Sequence, residues 1–242
     1  MNSLKIIVII PTFNEINNLP ILANLIFAQN IPNLTILIVD DNSPDGTADC
    51  ARDLSGIYND MIYVLDIPDK LGLANAYKRG FTWALAKGYD VLVQMDGDLS
   101  HNPGYIKHMV TRLDSYDVVI GSRYIEKGKI SDRWSFLRRA VSFLGNFTIR
   151  NILSTDVRDI TSGFKVFSYK AAKSINWDIV HCTGFGFQSE ITLQCHKLGY
   201  SILEIPIYFE DRLHGKSKMT FRILLETIVK IIIIRLFRFT KV

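Results

Sequence analysis

The sequence predicts an α/β fold: a mostly parallel sheet flanked by helices, followed by a C-terminal amphipathic helical appendage. In the first half of the 242-residue chain, short apolar runs alternate with segments of helical periodicity, a pattern typical of parallel sheets. The runs are continuously apolar and rich in Ile and Val, as are strands buried on both faces of a sheet. The stretch 221–239 is also apolar, but charged residues interrupt it.

Each predicted element follows from its local pattern. The predicted strands are LKIIVIIP (4–11), LTILIVDD (34–41), MIYVLDIP (61–68), DVLVQMD (90–96) and YDVVIGSRY (116–124). The predicted helices between them are 14–29, 43–55 with Ser43 or Asp45 as its cap, 72–88 ending at Gly88, and 104–115. Further along are a basic amphipathic helix at 131–153, a helix within 184–200 and a strand-like run at 201–212. No linker is visible, so we expect one domain over 1–219 and an appendage over 220–242.

Composition and charge narrow the possible functions. The net charge is +4, yet from Arg212 to Val242 eight Lys and Arg residues stand against one Glu. This basic, apolar end favours an anionic partner, such as a membrane surface or phosphates. Three scattered cysteines without a CxxC spacing indicate reduced thiols in a cytosolic protein and argue against a zinc site. The N-terminal apolar run stops at Pro11, which favours a first strand over a signal peptide.

Polar residues follow four of the predicted strands. PTFNE ends the first strand, VDDNSPDG the second, MDGD the fourth and GSR the fifth. In open parallel sheets, ligands bind beyond the carboxyl ends of the strands. The convergence of four polar strand ends on one edge therefore predicts a binding site there.

The acidic turn of Asp96 and Asp98 says most about the ligand. Mg²⁺ and Mn²⁺ prefer oxygen ligands and commonly bridge a few carboxylates to substrate phosphates. Gly97 lets the backbone approach a ligand closely. An isolated Asp-Gly-Asp is more often a plain turn, but the neighbouring polar strand ends favour a metal here. The first strand is not followed by a glycine-rich turn and GxxxxGK[ST] is absent from the sequence, which disfavours dinucleotide and P-loop sites.

Taken in order, IIPTFNE, VDDNSPDGT, MDGDLSHNP, GSRY and FEDRLHGKSKM resemble the successive motifs of glycosyltransferase family 2. Within that family they are similar to the polyprenyl-phosphate mannosyltransferase branch, the dolichol-phosphate mannose synthases. The resemblance covers residues 6–219. It implies a GT-A-type, Rossmann-like catalytic domain that uses Mg²⁺ or Mn²⁺. It also implies transfer of mannose from GDP-mannose to dolichyl or another polyprenyl phosphate.

The resemblance further implies which residues bind the substrates and the metal. The implied substrate-binding residues are Pro11, Phe13, Glu15, Val39, Asp41, Asp96, Gly97, Asp98, Arg123, Arg212 and Lys218. The implied metal ligands are Asp96, Asp98 and Ser100, the last with a weaker and shorter ligand group.

Three residues are implied to be catalytic: Asp98, Arg123 and Arg212. An Arg can grip a phosphate bidentately, whereas Lys218 would act as a point charge. The acceptor phosphate is already largely ionised near neutral pH, so no histidine is needed as a general base. We therefore expect a single displacement with inversion, driven by alignment and charge neutralisation.

Other assignments stay open at this level. Glu15 can instead stabilise a helix start, and Asp40 can meet the ribose or cap the next helix. Ser162, Gln188 and Glu190 are candidates for the acceptor and sugar side, with Glu190 alternatively pairing with a buried Arg. The rival enzyme transfers a hexose from UDP-glucose or another UDP-sugar to polyprenyl phosphate. An inactive membrane-associated scaffold is disfavoured because the acidic and basic residues are retained.

The appendage predicts contact with a membrane. As a helix, 221–239 places Arg222, Glu226, Lys230 and Arg238 on one broad face and apolar residues on the other. A spanning helix needs about 20 mostly uncharged residues, so we expect an interfacial helix on anionic lipid. The alternative is packing on the body, another subunit or a membrane partner protein. We thus expect a cytoplasmic protein, peripheral on the cytoplasmic face of a membrane, with no nucleic-acid partner.

Overall fold

The computed structural model describes residues 4–182, 184–211, 227–233 and 235. The strands are β1 (Ile6–Thr12), β2 (Leu34–Asp40), β3 (Ile62–Asp66), β4 (Val91–Gln94), β5 (Val118–Ser122), β6 (Lys129–Ile130), β7 (Lys165–Ser168), β8 (Ile202–Pro206) and β9 (Tyr208–Phe209). The α-helices are α1 (Leu19–Phe27), α2 (Thr47–Ile57), α3 (Leu73–Ala86), α4 (Ile106–Thr111), α5 (Phe136–Leu153), α6 (Tyr169–Ser174) and α7 (Phe187–Lys197).

The main sheet is mostly parallel, as predicted. Its strand order is β3-β2-β1-β4-β7-β5-β8, and β6 pairs with β9 in a separate two-stranded ribbon. β7 runs antiparallel to both β4 and β5, while the other neighbours in the main sheet pair in parallel. The carboxyl ends of β1, β2, β4 and β5 therefore lie along one edge, where the sequence placed its polar strand ends.

The sheet is buried on both faces, which explains the continuous apolar runs. Alternate residues of β1 enter different cores: Ile7 and Ile9 pack with α3, α5, α6 and α7. Ile6, Val8 and Ile10 pack on the opposite face with α1, α2 and α4. Because side chains alternate along a strand, one apolar run supplies both cores.

Several local predictions differ from the structure. The helices predicted over 14–29 and 131–153 begin only at Leu19 and Phe136, and the strand-like run 201–212 is divided into β8 and β9. The sequence analysis did not predict β7, a four-residue strand that begins with a lysine. Residues 104–115 do not form one helix, because 3₁₀ turns at Pro103–Tyr105 and Arg112–Asp114 flank α4. Neither Ser43 nor Asp45 is the cap of α2: the helix starts after left-handed Gly46, and Asp45 accepts the Thr47 N–H from outside the helix at 3.0 Å.

The tail is described over residues 227–233, which are helical, and at Arg235. Ile231 is fully buried in the core that contains α5 and α7, and Arg235 donates a hydrogen bond to Ser154 Oγ at 3.3 Å. This part of the tail therefore packs on the body, whereas Val229, Ile232 and Ile233 are exposed. The boundary at 219/220 stays a prediction. Among the described residues, no helix combines the length and hydropathy required to cross a membrane.

Candidate active site

The acidic turn directly follows β4 at the carboxyl edge of the sheet. Asp98 is buried, and its Oδ1 accepts hydrogen bonds from the Ser100 N–H at 3.1 Å and Ser100 Oγ at 2.5 Å. Leu99 between them adopts a left-handed conformation with φ of +63°. On the other arm of the turn, Asp96 Oδ1 accepts a hydrogen bond from the Tyr77 hydroxyl of α3 at 3.2 Å. Both carboxylates are thus oriented by neighbours before any ligand arrives.

Buried His101 supports the same turn. Its Nδ1 accepts the Asp96 N–H at 3.2 Å, and its ring stacks on Phe164 with 5.1 Å between centroids. Burial lowers the pKa of His101, although the carboxylates of Asp96 and Asp98 oppose the shift. The ring is therefore neutral at physiological pH and positions the turn.

Close packing around the two acids explains two glycines. A Cβ on Gly163 would lie 3.0 Å from Asp96 Oδ2, and one on Gly97 would lie 3.3 Å from the Ile10 side chain. The loop that contains Gly163 therefore lies directly against the Asp96 carboxylate. This neighbour was not predicted from the sequence.

The acidic turn fits a divalent cation whose ligands are completed by the substrate. Among the residues that the structure describes, no group of three or more His, Cys, Asp or Glu side chains could hold a metal ion. Mg²⁺ and Mn²⁺ sites in phosphate-transferring enzymes often use one or two carboxylates, waters and substrate phosphates, and Asp96 and Asp98 match that pattern. The Ser100 hydroxyl here orients Asp98, and its service as a metal ligand stays a prediction.

Arg123, the residue after β5, is held by a carboxylate that sequence reasoning missed. Its Nε and one terminal nitrogen donate to the two Asp159 oxygens, each at 2.8 Å, and its backbone N–H adds a third bond at 2.9 Å. The same terminal nitrogen donates to Thr161 Oγ1 at 2.9 Å. The Asp159 side chain is fully buried and that of Arg123 is 10% exposed. Arg123 is therefore a rigid cation rather than a flexible surface charge.

Electrostatics keep that guanidinium charged. Burial disfavours the cation, but the adjacent Asp159 carboxylate outweighs it, so the pKa of Arg123 lies above its usual range. Asp159 is fixed in turn, because Glu204 of β8 accepts the backbone N–H groups of Arg158 and Asp159 at 2.7 and 2.8 Å. The other predicted phosphate-binding residues, Arg212 and Lys218, lie outside the described residues.

The end of β1 presents the residues predicted to line the nucleotide pocket. Pro11 lies beyond the last residue paired with β4, so its missing N–H costs no sheet hydrogen bond on that side. The Lys70 ammonium lies 3.4 Å from the centroid of the Phe13 ring, a cation–π contact not predicted from the sequence. Glu15 accepts a hydrogen bond from the Asn18 side chain at 2.6 Å and precedes the first turn of α1, so its predicted place in the nucleotide pocket stays a prediction.

The end of β2 carries two buried aspartates with different partners. Asp40 accepts hydrogen bonds from the Thr12 hydroxyl and from the N–H and hydroxyl of Ser43, within the loop that follows the strand. It therefore does not cap α2, and its side chain does not face outward. The Asp41 oxygens accept the Leu71 and Gly72 N–H groups at 2.8 and 3.0 Å, which fixes the loop before α3. Carboxylate oxygens have further lone pairs, so the predicted role of Asp41 at the base or ribose stays a prediction.

Val39 is fully buried in the core beneath α3. Its side chain therefore packs against the protein interior and has no surface open to a ligand. The contact of Val39 with the donor stays a prediction.

Three further candidates have structural partners. Ser162 Oγ donates to the Gly121 carbonyl at 2.6 Å. Glu190 accepts the backbone N–H groups of His181 and Cys182 at 2.9 and 2.7 Å, and no arginine partner is seen for it in the part of the chain that the structure describes. Gln188 Oε1 accepts from a buried lysine, Lys165, at 2.7 Å. These contacts assign all three to the framework of the site.

Lys165 makes the stability of the protein depend on pH. Burial lowers the pKa of Lys165 from 10.5 to about 7, opposed by the charges of Asp159, Cys195 and Asp96 and reinforced by Arg123. Between these two values the unfolded chain holds one more proton than the folded protein, so stability rises with pH. Above pH 7 we expect the free energy of unfolding of wild type to rise by up to about 1.4 kcal/mol per pH unit relative to that of Lys165→Met.

Chemical denaturation of wild type and Lys165→Met between pH 6 and pH 9 measures this difference. A stability difference that stays constant or falls as the pH rises would contradict the expected titration.

Known proteins resemble this chain in sequence. The glycosyl transferase family 2 profile matches residues 7–175. The undecaprenyl-phosphate mannosyltransferase of Micrococcus luteus is 37% identical over 228 residues, which cover 94% of this chain and 93% of that protein. The polyprenol monophosphomannose synthase of Mycolicibacterium smegmatis is 37% identical over 217 residues, which cover 89% of this chain and 81% of that protein.

Solved structures resemble it in fold. The mannosyl-3-phosphoglycerate synthase of Rubrobacter xylanophilus superposes with a TM-score of 0.73 at 18% identity, covering 99% of this chain and 76% of its own. The glucosyl-3-phosphoglycerate synthase of Mycobacterium tuberculosis, solved with Mn²⁺, UDP and glucosyl-3-phosphoglycerate, superposes with a TM-score of 0.68 at 18% identity, covering 96% and 80%. At this level of identity the likeness concerns the fold alone.

Proposed function

Because this chain belongs to glycosyl transferase family 2, we propose that it transfers mannose from GDP-mannose to a polyprenyl phosphate, forming polyprenyl β-mannosyl phosphate. It is a glycosyltransferase with a GT-A-type fold. Mannose as the sugar and polyprenyl phosphate as the acceptor are supported by the two relatives named for that chemistry, which align over most of both chains. GDP-mannose as the donor follows from the motif resemblance.

The observation that carries this proposal is the shared support of the acidic turn and Arg123. One loop, residues 159–163, holds both: Asp159 binds the guanidinium, and Gly163 lies against the Asp96 carboxylate. Carboxylates suited to a divalent cation thus stand beside a cation suited to phosphate, at the edge where parallel sheets bind ligands. A sugar-nucleotide diphosphate and a phosphate acceptor need that combination of charges.

The proposed chemistry is charge neutralisation rather than proton transfer. Asp96 and Asp98 would hold Mg²⁺ or Mn²⁺, which would stabilise the charge of the departing GDP. Arg123 is pre-oriented by Asp159 and lowers the repulsion between the acceptor phosphate and the donor. The acceptor oxygen attacks the anomeric carbon directly while the bond to GDP breaks, which inverts the configuration. His101 is not available as a base because its Nδ1 already accepts the Asp96 N–H.

A surface for the lipid adjoins this site. Five large apolar side chains of α5 are half or more exposed: Phe136, Leu137, Phe143, Leu144 and Phe147. The same helix carries Arg138 and Arg139. Both arginines pair with aspartates, Asp211 and Asp132, so the exposed apolar side chains carry the argument: such patches are typical of interaction sites, membrane surfaces among them. Tyr124, next to Arg123, packs edge-on against Phe143 and shares a 2.7 Å hydrogen bond with Ser142, so α5 links this surface to the phosphate-binding cation.

Polar substitution on α5 tests this membrane contact. The double variant Phe136→Ser/Leu137→Ser is expected to partition about 10- to 100-fold more weakly onto vesicles of phosphatidylcholine and phosphatidylglycerol, because two apolar side chains no longer enter the lipid. Ile57→Ser on α2 is the matched control, since Ile57 is 70% exposed and Leu137 is 73% exposed. Flotation of the double variant at the wild-type level would contradict the proposed contact.

Donor choice tests the proposed function itself. The full chain is incubated with undecaprenyl phosphate and either GDP-mannose or UDP-glucose, with and without Mn²⁺. We expect lipid-linked sugar from GDP-mannose with Mn²⁺ and little from UDP-glucose. Transfer from UDP-glucose instead would support the rival hexosyltransferase, and transfer from neither donor would defeat both.

A further inference from the structure

A lysine lies buried in the middle of the main sheet, behind the acidic turn. Lys165 opens β7 between β4 and β5 and has no exposed surface. Its ammonium donates to the Ser162 carbonyl at 2.6 Å, Gln188 Oε1 at 2.7 Å and the Gln188 carbonyl at 3.2 Å. All three acceptors are neutral, and burying a cation without a paired anion is unfavourable. Methionine would avoid that cost but would leave the buried Ser162 carbonyl without this donor, so the amino group is the one feature of Lys165 that ties the carbonyl in place.

A second buried polar residue holds the same loop. The Gln94 amide donates to Gln188 Oε1 at 2.5 Å and to the Gly163 carbonyl at 3.2 Å. Its own Oε1 has no hydrogen-bond partner among the described residues. We call Lys165, Gln188 and Gln94 the lysine clamp. Its members come from β7, α7 and β4, and it fastens two successive carbonyls, those of Ser162 and Gly163.

The fastened carbonyls belong to the loop that supports both charged parts of the site. Asp159, near its start, binds Arg123 through both carboxylate oxygens. Gly163, its last residue, packs so closely that an added Cβ would lie 3.0 Å from the Asp96 carboxylate. A shift of the loop would therefore move Arg123 relative to Asp96. Misplacement by about 1 Å at such sites can lower a rate about 100-fold.

We propose that Lys165, acting with Gln188 and Gln94, is a positioning residue that fixes the 159–163 loop and thereby the placement of Arg123 relative to Asp96. This inference rests on the proposed function for its kinetic consequence. The three residues of the lysine clamp are not among those predicted to touch the substrate. The proposal rests on the hydrogen bonds of the Lys165 amino group, which reach the Ser162 and Gln188 acceptors from inside the sheet.

Two clamp variants and one control test the proposal. Lys165→Met removes the ammonium at similar volume. Gln94→Met removes the second tether, the hydrogen bond to the Gly163 carbonyl, and at the same time an unpaired buried acceptor, which partly offsets the loss of stability. Val166→Ala is the control, because Val166 is buried on the same strand but belongs to the core on the opposite face. It should lower Tm through a cavity without loosening the loop.

Hydrogen exchange of the peptide spanning 158–164 gives a readout that needs neither metal nor substrate. We expect faster exchange in Lys165→Met and Gln94→Met than in wild type, and unchanged exchange in Val166→Ala. In transfer assays well below each Tm, the clamp variants should lose about 10- to 100-fold in kcat. Their KM for GDP-mannose should stay within about threefold, because the loop aligns charges for the transition state.

The outcomes separate this proposal from the proposed function. Two results together would overturn the proposal. In the first, Gln94→Met keeps the wild-type hydrogen-exchange rate and the wild-type kcat. In the second, Lys165→Met exchanges no faster than Val166→Ala and loses no more activity. If wild type itself transfers no mannose, the proposed function fails. The hydrogen-exchange rates then test the lysine clamp independently of activity. Faster exchange in the clamp variants supports the proposal, and unchanged exchange refutes it. If Lys165→Met does not fold, Gln94→Met carries the same test.

Discussion

Asp98→Asn is expected to lower kcat for mannose transfer by about 10²- to 10³-fold, the loss that follows removal of one preorganised charge-stabilising group. The substitution removes a negative charge from the predicted metal site. The Asn oxygen can still accept the hydrogen bonds that Asp98 takes from the Ser100 N–H and hydroxyl, so Tm should change little. Initial rates at several Mn²⁺ concentrations measure the loss and should show weaker dependence on the metal.

Asp66→Asn is the matched control for this loss. Asp66 also ends a strand of the same sheet, but it pairs with Arg52 at the surface, where ion pairs contribute about 0–1 kcal/mol. It should leave kcat and the Mn²⁺ dependence unchanged. Equal activity in Asp98→Asn and Asp66→Asn would remove the acidic turn from the mechanism.

Asp159→Asn is expected to damage both stability and activity. It leaves the Arg123 guanidinium, 10% exposed, without its counter-charge. Breaking one partner of a buried ion pair costs about 3–5 kcal/mol, which corresponds to a Tm lower by roughly 6–20 °C for a chain of this size. Because Arg123 would also lose its fixed orientation, we expect kcat to fall by at least about 10-fold. Thermal unfolding and initial rates at a temperature below both Tm values measure the two effects.

Asp178→Asn provides the comparison, since Asp178 pairs with Lys78 where the two side chains are 87% and 43% exposed. That pair should contribute about 0–1 kcal/mol at most. If Asp159→Asn is no more destabilising than Asp178→Asn and keeps full activity, the Arg123–Asp159 pair has neither of the roles assigned here.

The acidic turn and the end of β5 could be predicted because they depend on local pattern. A continuous apolar run ending in polar residues marks a buried strand and its end, and the topology rule for parallel sheets brings such ends together. The polar strand ends that carry Asp96, Asp98 and Arg123 were located in this way, while the roles of these residues toward the substrate stay predictions. The order of the strands confirms that their ends share an edge.

The residues that hold these groups could not be predicted, because they depend on distant parts of the chain. Asp159 lies 36 residues from Arg123 in an irregular loop. The contact of Tyr77 with Asp96 requires a particular rotation of α3 against β4. β7 is four residues long, and its place between β4 and β5 follows from pairing rather than from its own sequence. A lysine in such a run reads as exposed, whereas Lys165 is completely buried.

The sequence predicts membrane contact in the tail, and the exposed apolar residues of α5 are the basis for proposing a second such element. Ile231 binds the described part of the tail helix to the body, while the apolar residues of α5 are exposed. Hydrophobic periodicity identifies an amphipathic helix, but it does not show whether the apolar face packs on the protein or contacts lipid. For α5 the structure shows an exposed apolar face, and for the described part of the tail it shows a helix partly packed on the body.

The structure of the lipid product tests the central claim most directly. The wild-type chain is incubated with GDP-mannose, Mn²⁺ and undecaprenyl phosphate, and the organic extract is analysed by mass spectrometry and by NMR of the anomeric centre. Direct attack by the acceptor phosphate predicts one mannose joined through phosphate to the lipid in the β configuration. An α-linked product would contradict the single displacement, and the absence of lipid-linked mannose under these conditions would contradict the proposed function.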